Sequence, residues 1–242
     1  MVTPYSNVSE GKKEQVEKMF NEIAFRYDLL NQLLSFGIHK RWRRKAIQFL
    51  KSEIRNPKSE LLDVATGTGD FAIDSTKLNP EKITGIDISE DMLTIGRKKI
   101  EEKNLSDIIE LKKADSENLP FENDSFDAAT VGFGVRNFEN LDKGLSEICR
   151  VLKKGGAFAV LEFSIPEKFP MKQFYHFYLS IICPFIGRII SKNPVAYDYL
   201  FKSVSSFPYG ENFKSILLKC GFSEANAYPQ TFGVVTIYIA KK

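Results

Sequence analysis

The chain has 242 residues, of which 43% are hydrophobic, 27% are charged and 12% are aromatic. This composition is typical of a globular protein and excludes a collagen-like, disordered or coiled-coil chain. The formal net charge of +3 is too small to indicate a nucleic-acid-binding domain by itself. The length suits one α/β domain with a small additional cap.

The cysteine and histidine content argues against a disulfide framework and a metal site. Cys149, Cys183 and Cys220 are far apart and form no C-x-x-C pair, as is usual in a reducing cytosol. His39 and His176 form no H-x-x-x-H pair, so we expect no bound metal.

The chain shows no sequence signal for secretion or for a membrane span. Its N-terminus lacks the basic and apolar pattern of a signal peptide. The most apolar stretch, residues 178–190, is shorter than the roughly 20 residues that a spanning helix needs. We therefore expect a cytoplasmic protein.

Residues 1–58 indicate a helical cap. Apolar residues recur at helical spacing over 16–23, and a second helix is predicted to begin after Asp28, which could be its N-cap. The Ser-Phe-Gly sequence at 35–37 should end that helix, and a third helix is predicted over 38–54.

From residue 60 short apolar runs alternate with amphipathic stretches. The predicted strands are 61–65, 83–87, 108–111, 126–131 and 157–162. The predicted helices between them are 70–79, 90–103 and 139–153. This alternation predicts a parallel sheet with helices on both faces.

The C-terminal third has a different pattern. The segment 169–207 is rich in aromatic residues and is predicted to form two helices, punctuated by Pro184 and Pro194. A helix over 210–220 and a hairpin around Phe232-Gly233 should follow. The predicted organisation is a cap over 1–58 and a wound domain over 59–242, with a helical insertion near 169–207.

The first strand leads into a glycine turn that indicates a nucleotide site. Gly67 and Gly69 would let the backbone approach a ligand closely at the start of a helix. Asp87 follows at the end of the second strand, where an acid can accept both ribose hydroxyls, and Asp115 follows the third strand. The spacing of Gly67, Gly69 and Ala72 also permits a dinucleotide site. As an alternative to ligand binding, Asp87 and Asp115 could merely cap helices.

Four motifs resemble those of the S-adenosylmethionine-dependent methyltransferases. They are L-L-D-V-A-T-G-T-G-D (61–70), I-D-I-S-E-D-M-L (86–93), A-D-S-E-N-L-P-F-E-N-D-S-F-D (114–127) and R-V-L-K-K-G-G (150–156). The resemblance implies a Rossmann-like, mostly parallel sheet of seven strands whose last strand is antiparallel. The predicted terminal hairpin would supply that strand.

Three further stretches narrow the resemblance to one family. They are F-N-E-I-A-F-R-Y-D-L-L-N-Q-L-L-S-F-G-I-H-K-R-W-R (20–43), V-G-F-G-V-R-N-F (131–138) and L-E-F-S (161–164). They resemble the C-methyltransferases of menaquinone and ubiquinone biosynthesis. The resemblance implies methylation of a ring carbon of a polyprenylated quinol, with S-adenosylmethionine as the methyl donor. We expect demethylmenaquinol as the acceptor, with the benzoquinol precursor of ubiquinone as the alternative.

The resemblance also implies which residues bind the cofactor. The implied set is Asp63, Gly67, Thr68, Gly69, Asp87, Asp115, Ser116 and Gly132. The Asp87 position binds the ribose, and the Asp115 and Ser116 positions lie at the adenine edge. Gly132 stands where some members have a serine, so only its backbone could contact the cofactor.

Methylation of a quinol carbon requires activation of the neighbouring hydroxyl and later loss of the ring proton. Arg136, after the fourth strand, could stabilise the quinol oxyanion. Tyr27, Asp28 and His39 of the cap are further candidates, the last two for proton removal. Three of them have a structural alternative: a helix-facing salt bridge for Arg136, an N-cap for Asp28, and a surface or capping role for His39.

The substrate's apolar tail and its location suggest a membrane contact. The aromatic segment 169–207 and the leucines of the cap could line a groove for the tail, although aromatic residues often simply form core. Residues 39–45 read H-K-R-W-R-R-K and could meet anionic headgroups at the inner face of the cell membrane, or form a solvated helix face.

Three other functions would each explain only part of the sequence. An NAD-linked oxidoreductase would explain the glycine turn but not the 20–43 stretch. A nucleic-acid methyltransferase would explain the basic run, but residues 131–134 read V-G-F-G in place of an N-P-P-[FY]-like motif, so we expect no nucleic-acid partner. A binding protein without activity would not need the intact glycine loop and its acidic partners.

Overall fold

The computed structural model describes residues 2–5, 8–54, 56, 58–182 and 194–242. The predictions that involve Cys183 and Pro184 lie outside these residues. The strands of the described chain are β1 (Glu60–Val64), β2 (Lys82–Asp87), β3 (Ile109–Lys113), β4 (Phe126–Gly132), β5 (Leu152–Phe163), β6 (Glu224–Gln230) and β7 (Val235–Lys241).

These strands form one sheet in the order β3-β2-β1-β4-β5-β7-β6. The strands β1 to β5 pair in parallel, whereas β7 runs antiparallel to both β5 and β6. A single helical turn, Thr231–Gly233, joins β6 to β7. The predicted Rossmann-like sheet with an antiparallel last strand and a terminal hairpin is therefore confirmed.

The helices are α1 (Lys12–Leu34), α2 (His39–Lys51), α3 (Asp70–Ser75), α4 (Glu90–Glu102), α5 (Leu141–Val151), α6 (Met171–Phe177), α7 (Pro194–Ser206) and α8 (Glu211–Lys219). A π-helical turn, Tyr178–Ile182, continues α6, and a short 3-10 turn, Val135–Asn137, follows β4. Both helices of the insertion are present, and α7 begins at the predicted Pro194.

Apolar side chains cover both faces of the sheet. Adjacent residues of β1 show the alternation: Leu61 packs with α2, α3 and α4, whereas Leu62 packs with α5 and α8 on the opposite face. Both leucines are buried. Burial on two faces explains why the strands appear in the sequence as continuous apolar runs.

The first helix differs from the prediction. Residues 12–34 form one continuous helix, so the expected second helix and its N-cap at Asp28 are wrong. The Asp28 carboxylate accepts hydrogen bonds from Thr68 and Lys99, on other elements, and so does not compete for the backbone of α1. The predicted break is correct: α1 ends before Ser35, and Phe36 and Gly37 have φ values of 49° and 72°.

The fifth strand is longer than predicted. It begins at Leu152 and not at residue 157, because Leu152 already pairs with Phe126. The register then shifts so that Ala128 pairs with Ala157, and the Lys-Gly turn at 153–156 bulges out of the sheet. Within the described ranges, no helix has the length and apolarity needed to cross a bilayer.

Candidate active site

Two adjoining cavities lie where the parallel strands end. The smaller encloses about 690 Å³, part of it open to solvent, and lies beside the point where the strand order turns from β2-β1 to β4. Such switch points bind ligands in wound α/β folds. Its wall combines loops after β1 to β4 with one face of α1; it includes Val16, Phe20, Tyr27, Ala65, Gly67, Ile86, Asp87, Ala114, Asp115, Ser116, Gly132 and Phe133.

The two glycines of the turn after β1 have different roles. Gly67 has a φ of 56°, and a Cβ there would meet only the Tyr27 ring, at 3.9 Å, so the backbone faces the cavity. Gly69 has a φ of 78° and its Cβ would meet Ile100 and Leu111 at 3.7 Å. Gly69 does not line either cavity, and the structure therefore separates it from the predicted cofactor contacts.

Asp87 holds the glycine turn and borders the smaller cavity. One carboxylate oxygen accepts the Gly67 N–H at 2.8 Å, and the other accepts the Ser89 N–H at 2.9 Å. Burial raises the pKa of Asp87. The N-cap of α4 is Ser89, whose hydroxyl accepts the Met92 N–H, so the alternative that Asp87 merely caps this helix is wrong.

Asp115 and Ser116 lie on the smaller cavity's wall after β3. One oxygen of Asp115 accepts the Glu117 N–H at 2.9 Å, and the other pairs with Lys13 of α1 at 3.1 Å. Sequence reasoning missed Lys13, because a lysine at the start of a long helix gives no local signal for a partner on another element. The carboxylates of Asp87 and Asp115 and the open glycine turn line one cavity. Together they form a cradle whose hydrogen-bond acceptors suit a nucleoside.

The larger cavity encloses about 1420 Å³, part of it open to solvent, and has a predominantly apolar wall. It shares Tyr27, Gly67, Gly132 and Phe133 with the smaller cavity, so the two meet at the ends of β1 and β4. Other lining residues come from α1, α6 and α7: Ile23, Leu30, Leu34, Tyr175, Tyr178, Leu179, Tyr197, Tyr199 and Leu200.

Gly132 is required at the junction by packing. A Cβ there would lie 2.9 Å from the Phe71 ring, which fills the space beside it. The residue lines both cavities, as predicted for a position that offers only its backbone.

Arg136 lines the larger cavity and also forms a buried ion pair. Its Nη1 donates to Glu162 Oε1 at 3.0 Å and to the carbonyl oxygen of Phe133. The guanidinium lies 5.4 Å from the centre of the Phe163 ring. The predicted alternative, a helix-facing salt bridge, is wrong in its partner, because Arg136 pairs with Glu162 of β5, and it remains on the cavity wall.

Glu162 is the ion-pair partner of Arg136. It lies in the L-E-F-S stretch (161–164), and sequence reasoning assigned no role to it. It is fully buried, and this burial raises its pKa even though the Arg136 guanidinium opposes the change. A carboxylate at the end of an apolar strand was the available signal, because a buried charge requires a partner.

Asp28 and Thr68 belong to a charged network between helices. Asp28 accepts hydrogen bonds from the Thr68 hydroxyl at 2.6 Å and from Lys99 of α4 at 2.8 Å. Lys99 also pairs with Asp70 at 2.6 Å, and Asp70 pairs with Arg43 of α2 at 3.0 Å. Thr68 is buried and lines the larger cavity, and its hydroxyl is engaged by Asp28 and Lys99.

Asp63 lies in β1 with its carboxylate surrounded by donors. It accepts hydrogen bonds from the hydroxyls of Thr66 and Thr130 and from the Ala72 N–H. Burial raises the pKa of Asp63 to about 6. These bonds tie the glycine turn and α3 to the sheet, which supports the cavity wall on which Asp63 also lies.

His39 is the first residue of α2 and is buried at the larger cavity, so it is not a surface histidine. Burial and the positive charge of Arg43 lower the pKa of His39 to about 4. Its Nδ1 forms a hydrogen bond with the Ser35 hydroxyl at the end of α1. The ring is therefore neutral at pH 7.

Comparisons with solved structures agree with the fold. A SAM-dependent methyltransferase from Thermotoga maritima superimposes with a TM-score of 0.64 at 20% identity, covering 93% of this chain and 99% of that one. The [4+2]-cyclase SpnF superimposes with a TM-score of 0.62 at 17% identity, covering 96% of each chain. Because a cyclase shares the architecture, these similarities describe the fold alone.

Comparisons of sequence are more specific. A demethylmenaquinone methyltransferase from Bacteroides fragilis is 49% identical, covering 100% of this chain and 97% of the relative. A demethylmenaquinone methyltransferase from Porphyromonas gingivalis is 42% identical, covering 100% of this chain and 98% of the relative. The ubiquinone/menaquinone biosynthesis C-methyltransferase UbiE of Geobacter sulfurreducens is 41% identical, covering 100% of this chain and 93% of the relative. The model of the ubiE/COQ5 methyltransferase family matches residues 8–242. The chain, with its nucleoside-type cradle and adjoining apolar cavity, therefore belongs to the ubiE/COQ5 methyltransferase family.

Proposed function

We propose that this chain transfers the methyl group of S-adenosylmethionine to a ring carbon of demethylmenaquinol, giving menaquinol. The observation that carries the proposal is the pair of adjoining cavities. The smaller has carboxylates at the ends of two neighbouring strands, as a nucleoside requires, and the larger has an apolar wall that suits a quinol with a polyprenyl tail. The relatives named for this reaction support the acceptor.

In this proposal Asp87 binds the ribose hydroxyls, and Asp115 and Ser116 contact the adenine. S-adenosylmethionine, when bound, supplies an already activated methyl group. The protein then has to align the acceptor carbon and exclude water. The shared wall at Gly67 and Gly132 is where the reacting groups would meet, because a ligand in either cavity touches it.

Arg136 stabilises the negative charge that develops on the quinol oxygen. Its ion pair with Glu162 fixes the guanidinium on the wall of the larger cavity. A cation held in place before the reaction needs no reorganisation when the charge appears. The aromatic ring of Phe163 beside it reinforces this orientation.

His39 and Asp28 are the two candidates for accepting the ring proton. The His39 ring is neutral at pH 7 and so has a nitrogen that can accept a proton, but a pKa of about 4 makes it a weak base. Both oxygens of Asp28, by contrast, are already bound, one to Thr68 and one to Lys99. Asp28 assists by holding α1 against the glycine turn.

The test is methyl transfer by the purified chain, with Arg136→Lys as the informative variant. Lysine keeps the charge that neutralises Glu162 but loses the planar fork. We expect kcat and kcat/KM to fall together by about 10²-fold or more, with little change in S-adenosylmethionine affinity. Arg150→Lys makes the same change in an ion pair with Glu147 outside both cavities and should leave the rates unchanged.

Three outcomes would contradict the proposal. A wild-type chain that transfers no methyl group to demethylmenaquinol would refute the acceptor. An Arg136→Lys variant with normal rates would refute the role of the guanidinium, and one that loses only cofactor binding would make Arg136 a cofactor or structural contact.

The benzoquinol precursor of ubiquinone is the second acceptor to test. The relative from Geobacter sulfurreducens, named for both pathways, is 41% identical to this chain, which is close to the 42% of the relative from Porphyromonas gingivalis. The ratio of the two kcat/KM values, measured with equal tail lengths, decides which acceptor is preferred.

We also propose a peripheral contact with an anionic membrane at the cytoplasmic face. Exposed apolar side chains form stripes on α1 and around α6: Phe25, Leu29, Leu33, Phe36, Phe169, Phe174, Phe177 and Ile181. The Tyr178 hydroxyl donates to the Leu34 carbonyl and joins the two elements. This apolar surface borders the larger cavity, from which a polyprenyl tail would have to emerge.

The basic run beside that surface has two parts. Lys40, Arg41, Arg44 and Lys45 are exposed on α2 and can meet anionic headgroups. Arg43 instead pairs with Asp70 and with Asp74, so it is not part of the charged surface. Trp42 is buried and donates to the Thr231 hydroxyl, which ties α2 to the β6–β7 turn.

A further inference from the structure

Tyr199 lines the larger cavity together with Arg136, and its hydroxyl is buried behind the cavity surface. Helix α7 packs against the 3-10 turn that carries Arg136 and so brings Tyr199 to this wall. Tyr199 is only 3% exposed. Its hydroxyl has no hydrogen-bond partner among the residues that the structure describes.

Arg136 has an unused donor in the same region. Its Nη1 serves Glu162 and the Phe133 carbonyl, but the buried Nε–H finds no acceptor within the described part of the chain. Burying a polar group without a partner costs free energy, and most native proteins avoid it. Both donors belong to residues of one cavity wall, where a bound ligand oxygen could complete them.

We propose that the Tyr199 hydroxyl and the Arg136 Nε–H together bind the oxygen of the acceptor ring. This assignment rests on the proposed methyl transfer to a quinol, and it adds a binding residue from the aromatic insertion. The bound atom must be an acceptor with room for two donors, which describes a phenolate oxygen better than an apolar ring edge or an ammonium group.

Tyr199 acts as a donor and keeps its own proton. Burial is the main reason that the pKa of Tyr199 is raised to about 12; the Arg136 charge opposes the increase and the Glu162 charge adds to it. A phenol that remains protonated at neutral pH can stabilise a quinol oxygen as it loses its proton, but it cannot remove the ring proton. That proton must leave to another group.

Tyr199→Phe removes the hydroxyl and retains the ring, so it tests the assignment directly. We expect kcat/KM for demethylmenaquinol to fall by about 10²-fold, the usual loss for one donor to a developing oxyanion. S-adenosylmethionine affinity should stay the same. The acidic limb of the pH profile should move to higher pH, because the quinol loses a donor that favours its ionised form.

The ligand-free protein supplies a readout that does not depend on activity. Since the hydroxyl has no partner in the described structure, Tyr199→Phe should not lower the melting temperature. A hydroxyl with a purely structural role would give the opposite result, a lower melting temperature with an unchanged pH profile. Tyr228→Phe, which removes a hydroxyl from β6 outside both cavities, should match the wild type in every measurement.

The outcomes separate this assignment from the proposed function. If the wild type methylates demethylmenaquinol and Tyr199→Phe does so equally well, with the same pH profile, the hydroxyl does not bind the acceptor. If the wild type itself shows no methyl transfer to the quinol, the proposed function fails first, and the oxygen site loses the ligand it was inferred to bind.

Discussion

In the proposed site, the Asp87 carboxylate would serve both the fold and the ligand with the same two oxygens. Both accept backbone N–H groups, from Gly67 and Ser89, and these bonds set the distance between the glycine turn and the end of β2. A carboxylate oxygen has more than one acceptor site, so each can still receive a ribose hydroxyl. The residue is thereby positioned before any ligand binds.

Asp87→Ala should weaken S-adenosylmethionine binding. We expect a loss of about 1.5–3 kcal/mol, the range for hydrogen bonds to a charged group, measured by isothermal titration calorimetry. Asp91→Ala, in the first turn of α4 and exposed, is the matched control and should bind normally. Unchanged affinity in the Asp87 variant would mean that the ribose lies elsewhere.

His39 should make the folding stability depend on pH. Burial lowers its pKa from 6.5 to about 4 in the folded state, so between these pH values the unfolded chain binds a proton that the folded chain does not. The His39 contribution is therefore fully present above pH 6.5 and is lost as the pH falls toward 4.

Urea unfolding of wild type and His39→Asn from pH 4.5 to 7.5 measures this contribution. Asparagine keeps a polar group near the Ser35 hydroxyl but does not titrate, and His176, exposed on α6, remains in both proteins. The free energy of unfolding of the wild type should fall relative to that of the variant as the pH is lowered. Two parallel curves would show that His39 does not carry the effect.

At the scale of elements, α1 completes the walls of both cavities. Near its start, Lys12 donates to the carbonyl oxygens of Arg136 and Phe138 at 3.0 and 2.7 Å. Farther along, Asp28 binds Thr68 and Lys99. The helix therefore crosses the ends of the strands, fastened to the loop after β4 and to the glycine turn after β1.

Removal of Lys99 should loosen α1. Lys99→Ala leaves the carboxylates of Asp28 and Asp70 without the cation that both of them contact. We expect faster hydrogen exchange in peptides from residues 12–34 and a higher KM for the quinol. Lys98→Ala, exposed on the same helix, is the control. Identical exchange in the two variants would show that the Lys99 ion pairs do not hold α1.

Local sequence patterns predicted those helices, strands and turns whose bounds depend on neighbouring residues. The strands are apolar runs, the glycine turn needs positive φ at Gly67, and α1 ends at the Ser-Phe-Gly sequence. The continuity of α1 through Asp28 was not predictable, because the partner that engages the side chain is Lys99, 71 residues away. Sequence reasoning assumed instead that an aspartate before a leucine run begins a helix.

The site residues follow the same rule. The position of Asp87 and Asp115 at one cavity could be predicted because parallel strands end at one edge of a sheet. The proposed roles of Glu162 and Tyr199 could not, because they depend on side chains from β5 and α7 meeting Arg136. The segment 169–207 was expected as either core or groove, and those of its residues that the structure describes divide between a small core, the cavity wall and the exposed surface.

At the scale of the whole molecule, the apolar surface around α1 and α6 and the basic face of α2 should act together on a bilayer. Binding to anionic vesicles should exceed binding to neutral vesicles and weaken with salt. Arg44→Gln combined with Lys45→Gln should weaken it by about 1 kcal/mol for each charge. Lys98→Gln combined with Lys103→Gln removes two exposed charges from the end of α4 and should have little effect.

Sedimentation with vesicles of each composition measures this binding. Equal binding to neutral and anionic vesicles would refute the electrostatic part. If Phe25→Ser combined with Phe174→Ser, at positions 91% and 65% exposed, left the binding unchanged, the apolar part would be refuted.

The central claim is that the smaller cavity binds the cofactor and the larger cavity binds the acceptor. A crystal structure with S-adenosylhomocysteine tests it most directly. The account predicts the ribose hydroxyls on Asp87, the adenine beside Asp115 and Ser116, and the sulfur at the junction near Gly67 and Gly132, with the larger cavity left for the quinol. A nucleoside bound in the larger cavity, or one that leaves Asp87 without a ligand contact, would contradict the account.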